Sequence, residues 1–212
     1  MELPLFPLHL VLFPGRPLPL HVFEERYRRM LADCLSGDRR FGVVAIRSGC
    51  EVGDVPEIYD IGTVAEIESV TTLADGRSDI TTRGVQRFRV RELLGEAPYL
   101  RAVIELLDDV ALNGEGEGTC ELRELLYPYL ASLGAPQELL SCLPEEPERL
   151  AYLAAAAMQV DVADAQRLLE LDRTDERLEA TLQMLRRETR LMRHLGAVGL
   201  LRPPGPNGAD YN

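Results

Sequence analysis

Lysine is missing from this chain of 212 residues, so all 23 basic side chains are arginine. Chemistry that needs the chain's own lysine amine is thereby excluded: a P-loop phosphate clamp, a lysine Schiff base, or a Ser-Lys dyad. Tryptophan is missing too, and positive charge is in deficit, with 35 Asp or Glu setting the net charge at -12. This balance opposes general binding to nucleic acid or to an anionic membrane, which rests on positive charge displacing counterions. The four cysteines, Cys34, Cys50, Cys120 and Cys142, form no C-x-x-C pair, so neither a zinc ribbon nor a thioredoxin-like motif is present and mostly buried, reduced thiols are expected. No metal and no cofactor is expected. No apolar run approaches the roughly 18 residues of a membrane span. Met1-Glu2 carries no basic n-region, and Pro4, Pro7, Pro14, Pro17 and Pro19 break any signal-type helix. The expectation is a soluble, cytoplasmic protein.

What is present is ordinary globular material, 46% hydrophobic and 27% charged, enough to bury a sizeable core. The first half reads as strands, with short apolar runs bounded by Pro and Gly at Leu3 to Phe6, Val11 to Phe13, Leu18 to Val22 and Phe41 to Ile46. One helix interrupts them: Glu24 to Leu35 places Tyr27, Met30, Leu31 and Cys34 at helical spacing and stops before Gly37. Strands resume at Gly62 to Val70, and Asp75-Gly76 predicts a hairpin turn. Ile80 to Thr82, Phe88 to Val90 and Tyr99 to Leu107 follow. The second half predicts helices over Cys120 to Leu133, Pro147 to Val160, Ala163 to Leu171 and Thr174 to Leu195, the last with Leu178, Leu182, Leu185 and Met192 on one face. The division expected is a β-rich part over 1–112, an acidic Gly linker over 113–118, a helical part over 119–196 and a flexible tail over 197–212.

Candidate chemistry is thin. Gly114-Glu-Gly116-Glu-Gly118 lacks G-x-G-x-x-G spacing, and its glutamates would repel an anion, so a linker is favoured. The six serines include no G-x-S-x-G elbow. His9, His21 and His194 make no i, i+4 pair and no H-E-x-x-H, and structural histidines are favoured over metal ligands. Asp108-Asp109 and Glu145-Glu146 are adjacent in sequence, so each pair reads as solvated charge rather than an acid/base couple. Arg83, Arg87, Arg89 and Arg91 form a basic cluster. If the last three share one strand they point to one face, with Phe88 and Val90 turned to the core, and a solvated outer face paired with acids is favoured over a nucleic-acid patch. The feature left over is the proline-rich apolar segment Leu3 to Phe23. Composition favours all of it being core strand; the alternative is that side chains such as Leu8, Leu12, Phe13 and Pro14 leave part of a peptide or partner groove exposed.

Leu3-Pro-Leu-Phe-Pro-Leu-His-Leu-Val-Leu-Phe-Pro-Gly15 followed by Leu18-Pro-Leu-His-Val-Phe-Glu-Glu-Arg-Tyr27 resembles the opening of the N-terminal, substrate-binding domain of Lon proteases. The likeness continues through Phe41-Gly-Val-Val44, Gly62-Thr-Val-Ala-Glu-Ile67, Asp75-Gly-Arg77, Gly84-Val-Gln-Arg-Phe-Arg-Val90, Tyr99-Leu-Arg-Ala102, Gln166-Arg-Leu-Leu-Glu170 and Arg177-Leu178, covering about residues 1 to 190. One departure is Glu25, where the family usually has proline. The resemblance implies an α+β fold in which a PUA-like β-barrel-type subdomain with one inserted helix precedes an α-helical bundle. It implies no catalytic residue: the ATPase and peptidase domains of a full Lon lie beyond the matching part, and this chain, similar to stand-alone bacterial Lon N-terminal-like proteins, ends before either could begin. The function implied is a non-catalytic module binding unfolded or degron-bearing polypeptide, with Leu8, Leu12, Phe13, Pro14, Phe23 and Tyr27 as candidate contacts. The alternatives are a scaffold for one folded protein partner and, third, RNA binding through the PUA-like fold, which the acidic charge disfavours.

Overall fold

The computed structural model describes residues 1–49, 56–95, 98–110 and 117–200. Its order is β1 (Glu2–Leu8), β2 (Pro17–Val22), α1 (Glu25–Ser36), β3 (Arg40–Ser48), β4 (Glu57–Thr72), β5 (Ser78–Leu93) and β6 (Arg101–Leu106). Five helices follow: α2 (Glu117–Ser132), α3 (Gln137–Ser141), α4 (Pro147–Ala157), α5 (Val162–Glu170) and α6 (Thr174–Leu200). The architecture is α+β, as the sequence implies. Residues 111–116 and 201–212, which hold most of the expected linker and tail, lie outside the described residues, as does Cys50.

The sheet closes on itself. β1 pairs parallel with β3, β3 antiparallel with β4, β4 with β5, β5 with β6, and β6 with β1. β5 makes this possible by serving two partners on one edge: its first half, from Ser78 to Arg83, pairs with β2, and its second half, from Phe88 to Leu93, with β6. The separate strands expected at Ile80 to Thr82 and Phe88 to Val90 are therefore one long strand. The Asp75-Gly76 turn joins it to β4, with Gly76 at φ 82°.

Inside the barrel Leu3, Leu5, Val44, Val64, Phe88 and Ile104 pack together. α1 closes one end with the face its spacing predicts, since Tyr27, Met30, Leu31 and Cys34 are its buried residues. Tyr27 stacks on Phe6 at 4.0 Å between ring centroids. The third core belongs to the helices, where Leu178, Leu182 and Leu185 of α6 meet Leu122 and Leu126 of α2 and Leu150 of α4. Val11, Phe13, Ala45 and Ile61 from the first half join that core, so the bundle packs directly on the barrel wall.

Val11 to Phe13 depart from expectation. They form no strand but part of an irregular strap, residues 9–16, that crosses the barrel wall between β1 and β2. Its polar backbone is tied down from below: Thr63 Oγ1 donates to Leu12 O at 2.5 Å, Gly15 N to Gly84 O at 2.8 Å and Gly84 N to Arg16 O at 2.9 Å. Gly84 is needed for that close approach, because a Cβ there would sit 2.4 Å from Phe13 O, and Gly15 turns the strap at φ 81°. A buried apolar run need not be a strand when side chains and a neighbouring backbone can satisfy its amides.

Candidate functional site

Where the strap meets the bundle, a cleft of about 650 Å³ opens, within the size range of ligand pockets. The strap supplies Pro14, Gly15 and Arg16, and β2 its first residue, Pro17. β5 supplies Arg83, Gly84 and Val85, at a point where the β4–β5 register shifts between Val64 and Ala65. A bulge of this kind carries an extra residue, and here it turns Val85 outward, 43% exposed. From the far wall come Pro144 and the α4 residues Glu148, Arg149, Tyr152, Leu153 and Ala156. The apolar walls come from short or branched side chains fixed on a strand, a helix and a pinned strap, so the cleft is held open by the scaffold itself.

Beneath it lies a buried ionic network. Arg87 of β5 and Arg177 of α6 are both almost fully buried, at 1% and 0% exposure. They converge on Asp109, with Arg87 Nη2 at 2.7 Å and Arg177 Nη2 at 2.6 Å from the same oxygen. Tyr152 donates its hydroxyl to the other oxygen at 2.6 Å, and the Arg177 guanidinium lies 4.4 Å over the Tyr152 ring. Arg87 also donates to Leu169 O and Asp172, and Gln166 of α5 donates to Ile61 O of β4 at 3.0 Å. Burial would raise the Asp109 pKa, but the Tyr152 hydroxyl and the two guanidiniums outweigh it and hold the carboxyl below its usual range. Glu148 moves the other way: burial and the neighbouring Asp109 carboxylate push it up. Burial likewise pushes the Tyr152 phenol up, so that hydroxyl stays a donor.

Two sequence readings are corrected here. Arg87 does not share a solvated face with Arg91, because the helices cover that part of β5, and Asp109 is not solvated charge but the hub of the network. Of the other side chains in that cluster, Arg83 pairs with Glu68 and Arg91 with Glu105 on the surface, which weakens the β5 argument for RNA. The thiol expectation also divides: Cys34 is buried, whereas Cys120 and Cys142 are exposed. His21 is no core histidine, since its Nδ1 meets Asp79 at 2.6 Å in the open.

The candidate contact residues are scattered by the fold. Leu8, Leu12 and Tyr27 are buried in the core beneath α1. Phe13 is 1% exposed and tilts against Tyr152 at 6.2 Å, an anchor of the strap in the helical core. Exposing such a ring costs about 1.5–3 kcal/mol, so these four side chains hold the structure and do not present a groove. Phe23 is 55% exposed beside His21, on the β2 end of the barrel. Pro14 alone of the six lines the cleft. Strand addition at β2 is no substitute, because Pro17 and Pro19 have no N–H to offer along its edge. Sequence reasoning missed Val85, Glu148, Tyr152 and Leu153 because what they face is far along the chain: Tyr152 bonds Asp109, 43 residues before it, and the cleft sets α4 against β5 and the strap. The available signals were Gly84-Val85 inside a strand pattern, which marks a bulge, and Arg177, four and eight residues before Thr181 and Leu185 on one helix stripe.

Comparison with known proteins gives a consistent result. The family model for the ATP-dependent protease La (LON) substrate-binding domain matches residues 2–187. Lon protease 2 of Herpetosiphon aurantiacus is 30% identical over 200 residues, covering 89% of this chain and 24% of that protein. The Lon protease of Escherichia coli is 29% identical over 200 residues, covering 91% and 25%. The chain thus spans about a quarter of the length of the curated relatives it matches. Among solved structures, a Lon N-terminal domain protein from Xanthomonas campestris superposes with a TM-score of 0.66 at 29% identity, over 86% of this chain and 98% of that one. The N-terminal domain of the Mycobacterium avium complex Lon protease gives 0.69 at 19% identity, over 87% and 98%, a likeness of fold. Among the described residues no helix is long and apolar enough to cross a membrane.

Proposed function

The chain belongs to the Lon substrate-binding domain family, and from that premise we propose that it is a non-catalytic module binding unfolded or degron-bearing polypeptide in the cleft between barrel and bundle. The observation that carries the proposal is the cleft itself, walled by Pro14, Val85, Pro144 and Leu153 and held open by rigid elements. The β-rich part over 1–112 and the helical part over 119–196 each supply one wall, so binding depends on both. Phe23, exposed on the barrel, is a secondary contact for a longer client. The free thiols at Cys34, Cys120 and Cys142 suit a reducing, cytoplasmic setting.

Titration of a fluorescently labelled unfolded protein tests this reading. Saturable binding is expected, weakened about tenfold by Val85→Asp, a change at an exposed bulge that leaves the circular dichroism spectrum intact. No binding at high micromolar concentration would sink the proposal, and unchanged binding by Val85→Asp would move the site out of the cleft. A single stoichiometric folded partner, with no affinity for unfolded chains, would identify a scaffold instead.

A further inference from the structure

Arginine outnumbers acid on the walls of the cleft, the reverse of the chain as a whole. Those walls hold Arg16, Arg83 and Arg149 against one acid, Glu148, in a protein of net charge -12. Two of these arginines already face carboxylates: Arg83 Nε lies 2.5 Å from Glu68, and Arg149 Nη1 lies 3.9 Å from Glu146. Arg16 differs. Its Nη1 reaches Val11 O at a long 3.5 Å, and no carboxylate pairs with it among the described residues. Burial draws its pKa down from the usual arginine value. That one long bond to Val11 O adds little to the strap, which the main-chain groups of Gly15 and Arg16 already hold to Gly84.

A half-buried cation beside Pro14 and Val85 is costly unless something pairs with it. The natural complement is a carboxylate arriving with the occupant, because guanidinium–carboxylate hydrogen bonds are among the strong polar contacts in a partly dry site. Resting on the reading of this cleft as a polypeptide site, we propose that it selects segments in which an acidic side chain lies among apolar ones, the acid meeting Arg16 while its neighbours pack on Val85 and Leu153. Glu148, on the opposite wall, opposes the same ligand and sets a ceiling on its affinity. The net acidity of the whole chain then works as a filter, since it repels highly acidic chains at a distance while Arg16 rewards a single carboxylate at contact.

Two acetylated, amidated eight-residue peptides of leucine, phenylalanine and serine decide the matter, one with a central aspartate and one with asparagine in its place. By fluorescence anisotropy against the intact chain, the aspartate peptide is expected to bind about five- to tenfold more tightly. Arg16→Gln should erase that preference, so that the aspartate and asparagine peptides bind the variant alike, and Glu148→Gln should enlarge it about threefold. Equal binding of both peptides by the wild type and by Arg16→Gln would overturn the acidic preference while the polypeptide site stands. If neither peptide nor unfolded protein binds, both proposals fall. A preference that appears only when the asparagine peptide carries a free α-carboxylate would overturn the proposal in favour of recognition of chain ends.

Discussion

Arg87 and Arg91 stand four residues apart on one strand, and their surroundings have nothing in common. Arg91 pairs with Glu105 across the β5–β6 ladder, both about half exposed. Arg87 is buried beneath the helical bundle and depends on Asp109, Asp172 and a carbonyl of α5. The first is an ordinary surface pair, worth little because water competes for both ions. The second cannot dispense with its partners, because a buried guanidinium without a counter-ion has lost its hydration and gained nothing. Identical chemistry thus has opposite consequences at the two positions, and the difference comes from what covers the strand.

Removing the hub should break the comparison most severely. Asp109→Asn leaves Arg87 and Arg177 buried without their shared negative charge, and a loss of about 3–5 kcal/mol is expected in denaturant unfolding. Acid should reproduce part of this. The folded Asp109 pKa is lowered, so its contribution is present above the unfolded value near 3.8 and is lost as pH falls through the folded value. Stability should therefore decline below about pH 4 in the wild type, and this part of the decline should be missing in Asp109→Asn. A smaller effect is expected at the strap. Gly84→Ala places a Cβ 2.4 Å from Phe13 O, a backbone atom that has to move, and should cost about 1–3 kcal/mol while widening the cleft. The smallest belongs to Arg91→Gln, expected to change stability by no more than about 0.5 kcal/mol. A large loss there, or a small one at Asp109, would show that burial is not what separates the two arginines.

Local pattern made some of the molecule legible and left the rest unreadable for identifiable reasons. α1 was readable because a helix burying one face must repeat near 3.6 residues, and its four buried side chains follow that period. The same holds for Leu178, Leu182 and Leu185 on α6. Val11 to Phe13 misled because an apolar run reports burial and not backbone conformation, and the hydrogen bonds that replace a ladder come from Thr63 and Gly84, some 50 to 70 residues further on. The composition of the strip from Leu3 to Phe23 favours core, and there the reading matches the burial, whereas most of the contacts chosen from the family likeness do not. The strip's hydrophobicity is the cost of joining two cores, and apart from Pro14 and Phe23 the candidate contacts are interior. The cleft was not readable at all, since a strap, a bulge and a helix wall share no local signature.

The amino-acid sequence by itself determined the family, the change from strands to helices, the faces of α1 and α6, and the lack of any lysine-based chemistry, because each follows from residue identity or from spacing along one element. Tertiary structure alone decided that β5 would close the barrel, that Arg87 and Asp109 would be buried together, and that Arg16 would face a cleft with no counter-ion among the described residues. Those outcomes depend on which surfaces cover one another, and desolvation, which governs the worth of every charge and every apolar side chain, is a property of the packed chain rather than of any segment of it.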